Sequence, residues 1–346
     1  MRLLFLFGLL VLAAQPALAQ SRAARNADAS ISQDLASADN NTTYFSQSWL
    51  VDTMNRRTAE SIRDVPHVYY DYYVVPEGQN RLEARLALYS RFGGDDAQRA
   101  RTVIKPLLWL LNRNDLENLQ PGDTLVVPTQ FDLDFRAYSP FPRYYPAGRQ
   151  LGKIVILDKN IQAWAAYERG ELARWGIINT GTESARTPSG RFNVNWKEEY
   201  RVSTLSPGYP DGRNGGELWE MYWVMNLHEQ RGIHMHQYAL PTSGPASHGC
   251  IRMLEPDAKW LFEWTDTWNV ENQREHISSV GGTITDQGTM VLIIGQDISE
   301  PPTPFLHRPQ YPVIRMVELP PDPYAVPAGT DQQERFDRKR TQATAP

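Results

Sequence analysis

Ser247-His248-Gly249-Cys250-Ile251-Arg252 holds the single cysteine of this 346-residue chain. A lone thiol cannot close an intrachain disulfide, so it is either an inert buried group or a reactive one. Gly249 removes the side chain just before the sulfur, which lets the backbone bend sharply and aim successive N–H groups at one point. Those N–H groups, of Gly249 and Cys250, are the expected oxyanion hole. A free thiol with a pKa near 8.5 is mostly protonated at neutral pH, so a thiolate needs a neighbouring base or cation. Gly232-Ile233-His234-Met235-His236 lies just upstream. As a strand it would point His234 and His236 to the same face, so periodicity leaves both open as the base.

Three other readings of these residues compete. Cys250 in a tight turn, with histidines in ordinary hydrogen bonds, would be purely structural, but four specialised residues adjoin one another here. His234, His236, His248 and Cys250 are chemically suited to zinc, yet their spacing matches no usual ligand pattern. A papain-like hydrolase places its cysteine before its histidine, whereas both candidate bases here precede Cys250.

Outward from this centre, residues 150–298 read as mainly β. Lys153 to Leu157 is an apolar strand, Asp158-Lys159-Asn160 a turn, Ile161 to Tyr167 a partner strand, and Leu172 to Asn179 a third. A helix is expected from Glu255, with Pro256 at its first position, to about Trp264. Met290 to Ile294 is the last strand. Residues 68–130 form a second, small α/β unit. A strand at Tyr69 to Val75 leads into helices at about Leu82 to Phe92 and Ala97 to Leu111. Pro121-Gly122-Asp123-Thr124-Leu125-Val126-Val127-Pro128 then makes a turn and a closing strand.

The ends differ in composition. Met1 to Ala14 carries one positive charge and then an apolar run, Gln15-Pro16 breaks it, and Ala17-Leu18-Ala19 offers small residues at a cleavage site. That pattern predicts a signal peptide over 1–19 and hence a periplasmic or extracellular protein. The run is too short for a mature membrane span, and none is expected elsewhere. Residues 20–67 read as a mobile leader with one short helix near Trp49 to Ile62. The proline-rich stretch 299–346 is expected to be an extended tail. A net charge of -5 gives no support for nucleic-acid binding. The 10 Trp and 16 Tyr suffice to line a sugar or peptide groove, although most should be core.

The mainly β segment, residues 150–298, resembles the YkuD-type L,D-transpeptidase catalytic domain. The resemblance rests on Ser247 to Arg252 and on Gly232-Ile233-His234 at the family distance upstream. It also includes Thr180-Gly181, Thr187-Pro188-Ser189-Gly190-Arg191-Phe192, and Asp257-Ala258-Lys259-Trp260-Leu261 after the cysteine. It implies a β-sandwich with a short helix after the nucleophile. It also implies Cys250 as nucleophile and His234 as base, with no cofactor. The substrate would be peptidoglycan stem peptides, joined through a thioester with loss of D-alanine. Ser247 and His248 would shape the nucleophile turn. Arg252 would fix the loop or meet a substrate carboxylate, and Tyr222 or Trp219 would line the groove or belong to the core. Met235 departs from the family glycine after the base, and its bulkier side chain is expected to narrow the donor pocket. Residues 68–130 resemble LysM modules, which implies glycan strands as a second partner. Water in place of an amine would make the site a carboxypeptidase, and a degenerate site would leave a wall-binding protein.

Overall fold

The computed structural model describes residues 48–113, 116, 119–213, 215–240, 244–271, 283–299, 306–307, 313–314 and 316–343. The expected signal peptide and the first part of the leader lie outside them. The centre is a nine-stranded mixed sheet built from β3 (Lys153–Asp158), β4 (Ala163–Glu168), β5 (Glu171–Asn179), β6 (Gly190–Asn193), β7 (Lys197–Val202), β8 (Glu220–His228), β9 (Ile233–Gln237), β10 (Ile251–Met253) and β11 (Met290–Ile294). Its order is β6-β11-β3-β4-β5-β10-β9-β8-β7. The sheet curls on itself. The chain after β6 donates from Val194 to the Thr289 carbonyl and from Asn195 to the Asn226 carbonyl, joining its two ends.

Strand β3 reads as an unbroken apolar run because both of its faces are covered. Val155 and Leu157 face an inner core with Trp164, Ile178, Met235, Ile251, Leu261 and Val291. Ile154 and Ile156 face an outer core shared with the N-terminal unit, including Leu108, Val127, Phe135 and Phe141. Helix α3 (Glu255–Trp264), with its early proline, plugs the inner face through Ala258 and Leu261. The N-terminal unit is β1 (Tyr70–Val74), α1 (Arg81–Gly93), a helical run ending in α2 (Lys105–Asn112), and β2 (Thr124–Pro128), which pairs antiparallel with β1. Asn80 and Glu83 form a capping box at the start of α1.

Two expectations about the ends are corrected. The leader is not mobile from residue 48 onward. Leu50, Met54, Ile62 and Val65 are buried in the outer core, and Arg143 donates to the Val65 and Pro66 carbonyls. Apolar residues four apart had enough area to dock, which outweighed the polar composition around them. Nor is the tail extended throughout, because Asp331–Ala343 is a helix, α4. Upstream of it, Arg191 N–H donates to Pro327 and Gly329 N–H to Arg191, which adds the tail to the exposed edge of β6. The Arg191 guanidinium pairs with Asp337 on α4, and Gln333 bonds Asn193. No proline falls between Pro327 and Pro346 to oppose a helix, and these contacts hold it.

A buried ion pair ties the layers together. Arg174 on β5 donates to Asp257 on α3 at 2.7 Å and to Asn55 of the former leader at 2.9 Å. Trp164 Nε1 donates to the other Asp257 oxygen at 3.2 Å. Burial pushes the Asp257 carboxyl up, and Arg174 opposes that shift. Gly176 sits where any Cβ would overlap Asp257. Arg174→Met should therefore lower unfolding free energy by about 3–5 kcal/mol, the usual cost of orphaning a buried charge. Urea denaturation followed by tryptophan fluorescence checks this, and a loss below about 1 kcal/mol would count against the pair as a tie.

Candidate active site

The nucleophile turn is held by a hydroxyl. Thr187 Oγ1 accepts from the Gly181 N–H and donates to the Gly249 carbonyl, both at 2.8 Å. The Thr180 carbonyl accepts from Ala246 and Ser247, and Ser247 returns a carbonyl to the Thr182 N–H. Within the turn, Ser247 Oγ donates to the Cys250 carbonyl at 2.5 Å and accepts from the Gly249 N–H at 3.1 Å. Gly249 has φ +113°, a conformation closed to side-chain residues. A Cβ on Gly181 would collide with the Ala185 carbonyl and reach Gly249. The Thr-Gly and Thr-Pro segments thus serve as struts of the cysteine turn. One expectation changes here, because the Gly249 N–H is spent on Ser247 and leaves the Cys250 N–H as the candidate oxyanion donor.

Strand pairing then assembles the site. β10 runs parallel to β9 with Ile251 opposite Met235 and Arg252 opposite His236. Alternation puts Cys250, Arg252, His234 and His236 on one face, lining a cavity of about 580 Å³. Met235 points the other way into the inner core, so it does not narrow this cavity. Trp196, Trp219, Met221, Tyr238, Ser247 and His248 also line it. The exposed His248 ring stacks on Trp219 at 5.2 Å. Among the described residues no three His, Cys, Asp or Glu side chains converge as a metal site.

Tyr222 is not among the lining residues. Its ring packs against Tyr200 at 5.3 Å on the opposite face. The reason is a register shift in β8 between Tyr222 and Met225, where Trp223 has φ +52°. That bulge reverses the alternation, so Met221 and Asn226 both face the cavity although an odd number of residues apart. No glycine or proline marks the bulge in Tyr222-Trp223-Val224.

The electrostatics favour a neutral pair. Burial pulls His234 down to about 3, with His236 and Arg201 acting in the same direction. Burial also pushes the Cys250 thiol up, partly offset by the His234 backbone N–H and by Arg252. The thiol donates to the Gly232 carbonyl at 3.4 Å rather than to the imidazole. His234 is held from behind by residues that no motif announced. Asn226 Nδ2 lies 3.1 Å from His234 Nδ1, and the Asn226 oxygen accepts from Asn195 at 2.7 Å. Trp196 covers the ring at 5.3 Å.

Residues 152–293 match the YkuD family, described as the L,D-transpeptidase catalytic domain. This segment is a YkuD domain. YciB of Bacillus subtilis (strain 168), provisionally named an L,D-transpeptidase, is 32% identical over 130 residues, covering 34% of this chain and 64% of YciB. The match thus spans less than two thirds of that relative's length. Among solved structures, the L,D-transpeptidase from Xylanimonas cellulosilytica DSM 15894 is 24% identical, with 47% of this chain and 72% of that chain covered at a TM-score of 0.30. The Mycobacterium smegmatis L,D-transpeptidase is 16% identical, with 41% and 58% covered at a TM-score of 0.30.

Two outcomes follow for the YkuD site. Because only thiolate reacts and the thiol value is raised, Cys250 alkylation by iodoacetamide should be slower than that of free cysteine at pH 7. It should climb about tenfold per pH unit toward pH 9. A rate already flat across pH 6–9 would mean a preformed thiolate–imidazolium pair. Asn226→Asp places a carboxylate behind His234 Nδ1, which should raise the imidazole pKa, favour that ion pair and shift the same profile to lower pH. An unshifted profile in the folded variant would exclude Asn226 from setting the protonation of the pair.

Proposed function

We propose that this protein is an exported cysteine L,D-transpeptidase acting on peptidoglycan stem peptides. The observation that carries the reading is the cross-strand neighbourhood of Cys250 and His234 in one cavity of a YkuD domain, with the thiol turn pinned by Thr187. Cys250 Sγ bonds to the carbonyl carbon of the third-position diamino acid, and its proton passes to His234. The Cys250 N–H faces the developing oxyanion. The carbon–nitrogen bond to the fourth residue breaks, D-alanine leaves with a proton from His234, and a thioester remains. An amine from a second stem then attacks the thioester, gives its proton to His234, and expels the thiol. Water in the amine's place gives the carboxypeptidase outcome from the same intermediate.

Export agrees with the expected signal peptide and with a substrate found only outside the cytoplasmic membrane. In the N-terminal unit, the strand-helix-helix-strand order fits a glycan-binding role of LysM type, which stays part of the proposal. No described helix is long and apolar enough to cross a membrane.

Incubation with disaccharide-tetrapeptides, read by mass spectrometry, should give D-alanine release and cross-linked dimers for the native protein. Neither should appear for Cys250→Ala. The same variant should lose the covalent adduct that a carbapenem leaves on the native chain. Sedimentation with sacculi without turnover would favour the wall-binding reading, and an adduct on the Ala variant would refute Cys250 as nucleophile.

A further inference from the structure

The tail spans two supports of Cys250. Its near end lies on β6, which begins at Gly190, just past the Thr187 strut. Gly190 has φ +140°, and a Cβ there would press on the Pro327 carbonyl at 3.1 Å, so glycine lets the tail lie this close. A Cβ on Gly329 would likewise enter the Phe192 ring. Thr330 Oγ1 then caps α4 by accepting from the Gln333 N–H at 3.1 Å. One face of α4 is anchored. Gln333 is buried on Asn193, Asp337 pairs with Arg191, and Phe336 meets Trp268 edge-on at 5.9 Å. Their spacing of three and four residues places all three on a single stripe of the helix.

Gln332 flanks that stripe and reaches the turn between β8 and β9, where its Nε2 donates to Glu229 Oε2 at 3.1 Å. Residues 229–232 form the turn, closed by the Gly232 N–H on the Glu229 carbonyl at 3.2 Å, with Gly232 at φ +61°. All four line the catalytic cavity. The last of them supplies the carbonyl that accepts from the Cys250 thiol at 3.4 Å, and His234 follows two residues later. Arg231 adds a longer bond to the turn, 3.3 Å to the Arg186 carbonyl. The contact from α4 therefore bears on the turn that sets the resting partner of the sulfur.

We infer that Gln332 is a positioning residue for the nucleophile: through Glu229 it holds the β8–β9 turn so that the Gly232 carbonyl stays on the Cys250 thiol. A carbonyl that accepts from a thiol stabilises the protonated form, so a fixed turn keeps the proton on sulfur. A released turn withdraws that acceptor and admits water, and the thiol then titrates nearer its ordinary range. The site lies within residues 152–293, and α4 lies outside them. The role concerns the resting sulfur, so it stands apart from the transpeptidase reading.

The test follows Cys250 alkylation by iodoacetamide across pH in the full chain. Gln332→Leu should move the profile down by about half a unit to one unit, raising the rate at pH 7 about threefold to tenfold. Gln332→Glu sets like charges face to face and should do the same by expelling the turn. A charge acting only through space would raise the thiol pKa and slow the reaction, so the sign separates the two causes. Exchanging the pair, Glu229→Gln with Gln332→Glu, restores one amide and one carboxylate at unchanged net charge and should return the native profile. Thermal unfolding of each variant is read alongside. A tail that only stabilises the fold would lower the melting midpoint and leave the alkylation profile in place. That result, or an exchanged pair that stays shifted, would overturn the positioning role. D-alanine release by the native protein is measured separately. Shifted profiles without release would sink the transpeptidase reading and leave the positioning role standing, and release with unshifted profiles would do the reverse.

Discussion

One side-chain oxygen, Thr187 Oγ1, determines where the sulfur sits. It is the shared partner of two backbone groups that are far apart in sequence, the Gly181 N–H and the Gly249 carbonyl. A buried hydroxyl that both accepts and donates leaves no polar group unsatisfied in the knot, so it adds rigidity without a desolvation cost. The support continues backward. Gln162 bonds Thr180 through its amide, and Thr180 holds Ala246 and Ser247 through its carbonyl. The strained Gly249 backbone is thereby over-determined from three sides, which is how strain persists at a reactive centre. The position of the Cys250 sulfur is thus a property of the β5–β6 connection as much as of the turn that carries it.

That dependence explains the architecture around it. Strands β3 to β5 are covered on both faces, by α3 inside and by the N-terminal unit outside. Phe135 stacks on Trp175 at 4.6 Å while the Trp175 indole donates to the Phe135 carbonyl. Arg113 of the N-terminal unit donates to the Ile161 and Gln162 carbonyls, directly behind the residue that holds Thr180. The unit that resembles a LysM module therefore shares the core that steadies the active site, instead of swinging on a linker. At the other end, α4 reaches the cavity rim, where Gln332 donates to Glu229 at 3.1 Å. Segments outside residues 152–293 thus buttress the YkuD domain from both sides.

Much of this was legible in the residues. The hairpins from Lys153 to Asn179, the helix starting at Glu255 and the final strand at Met290 all carry strong periodicity or turn signals, and all three stand where the pattern puts them. His234, Cys250 and Ser247, which motif spacing marks, come together in one cavity. Asn226 and Asn195 were missed because an asparagine eight residues from the histidine carries no local signal until β8 and β9 pair. Tyr222 was misplaced because the β8 bulge reverses its face without leaving a glycine to announce it. The tail helix was hidden by averaging composition across 299–346, where a charged, helix-prone run without proline lies between Pro327 and Pro346. The buried leader shows the same fault. Four apolar residues outweighed a polar background because burial energy is local to the face that docks.

The protonation of the pair follows from the same enclosure that positions it. Removing water disfavours charge on both partners, raising the thiol and lowering the imidazole, so the proton stays on sulfur. This is a poor nucleophile but a durable one. A protonated thiol donating to the Gly232 carbonyl resists oxidation better than an exposed thiolate would. The imidazole meanwhile keeps a lone pair at any pH above about 3, which the base of the proposed mechanism requires. In the acyl transfer proposed above, charge needs to develop only as the sulfur–carbon bond forms, when the oxyanion and imidazolium would stabilise each other inside the cavity. Enclosure thus protects the sulfur at rest and strengthens that mutual stabilisation in the transition state, because both effects come from the same low dielectric.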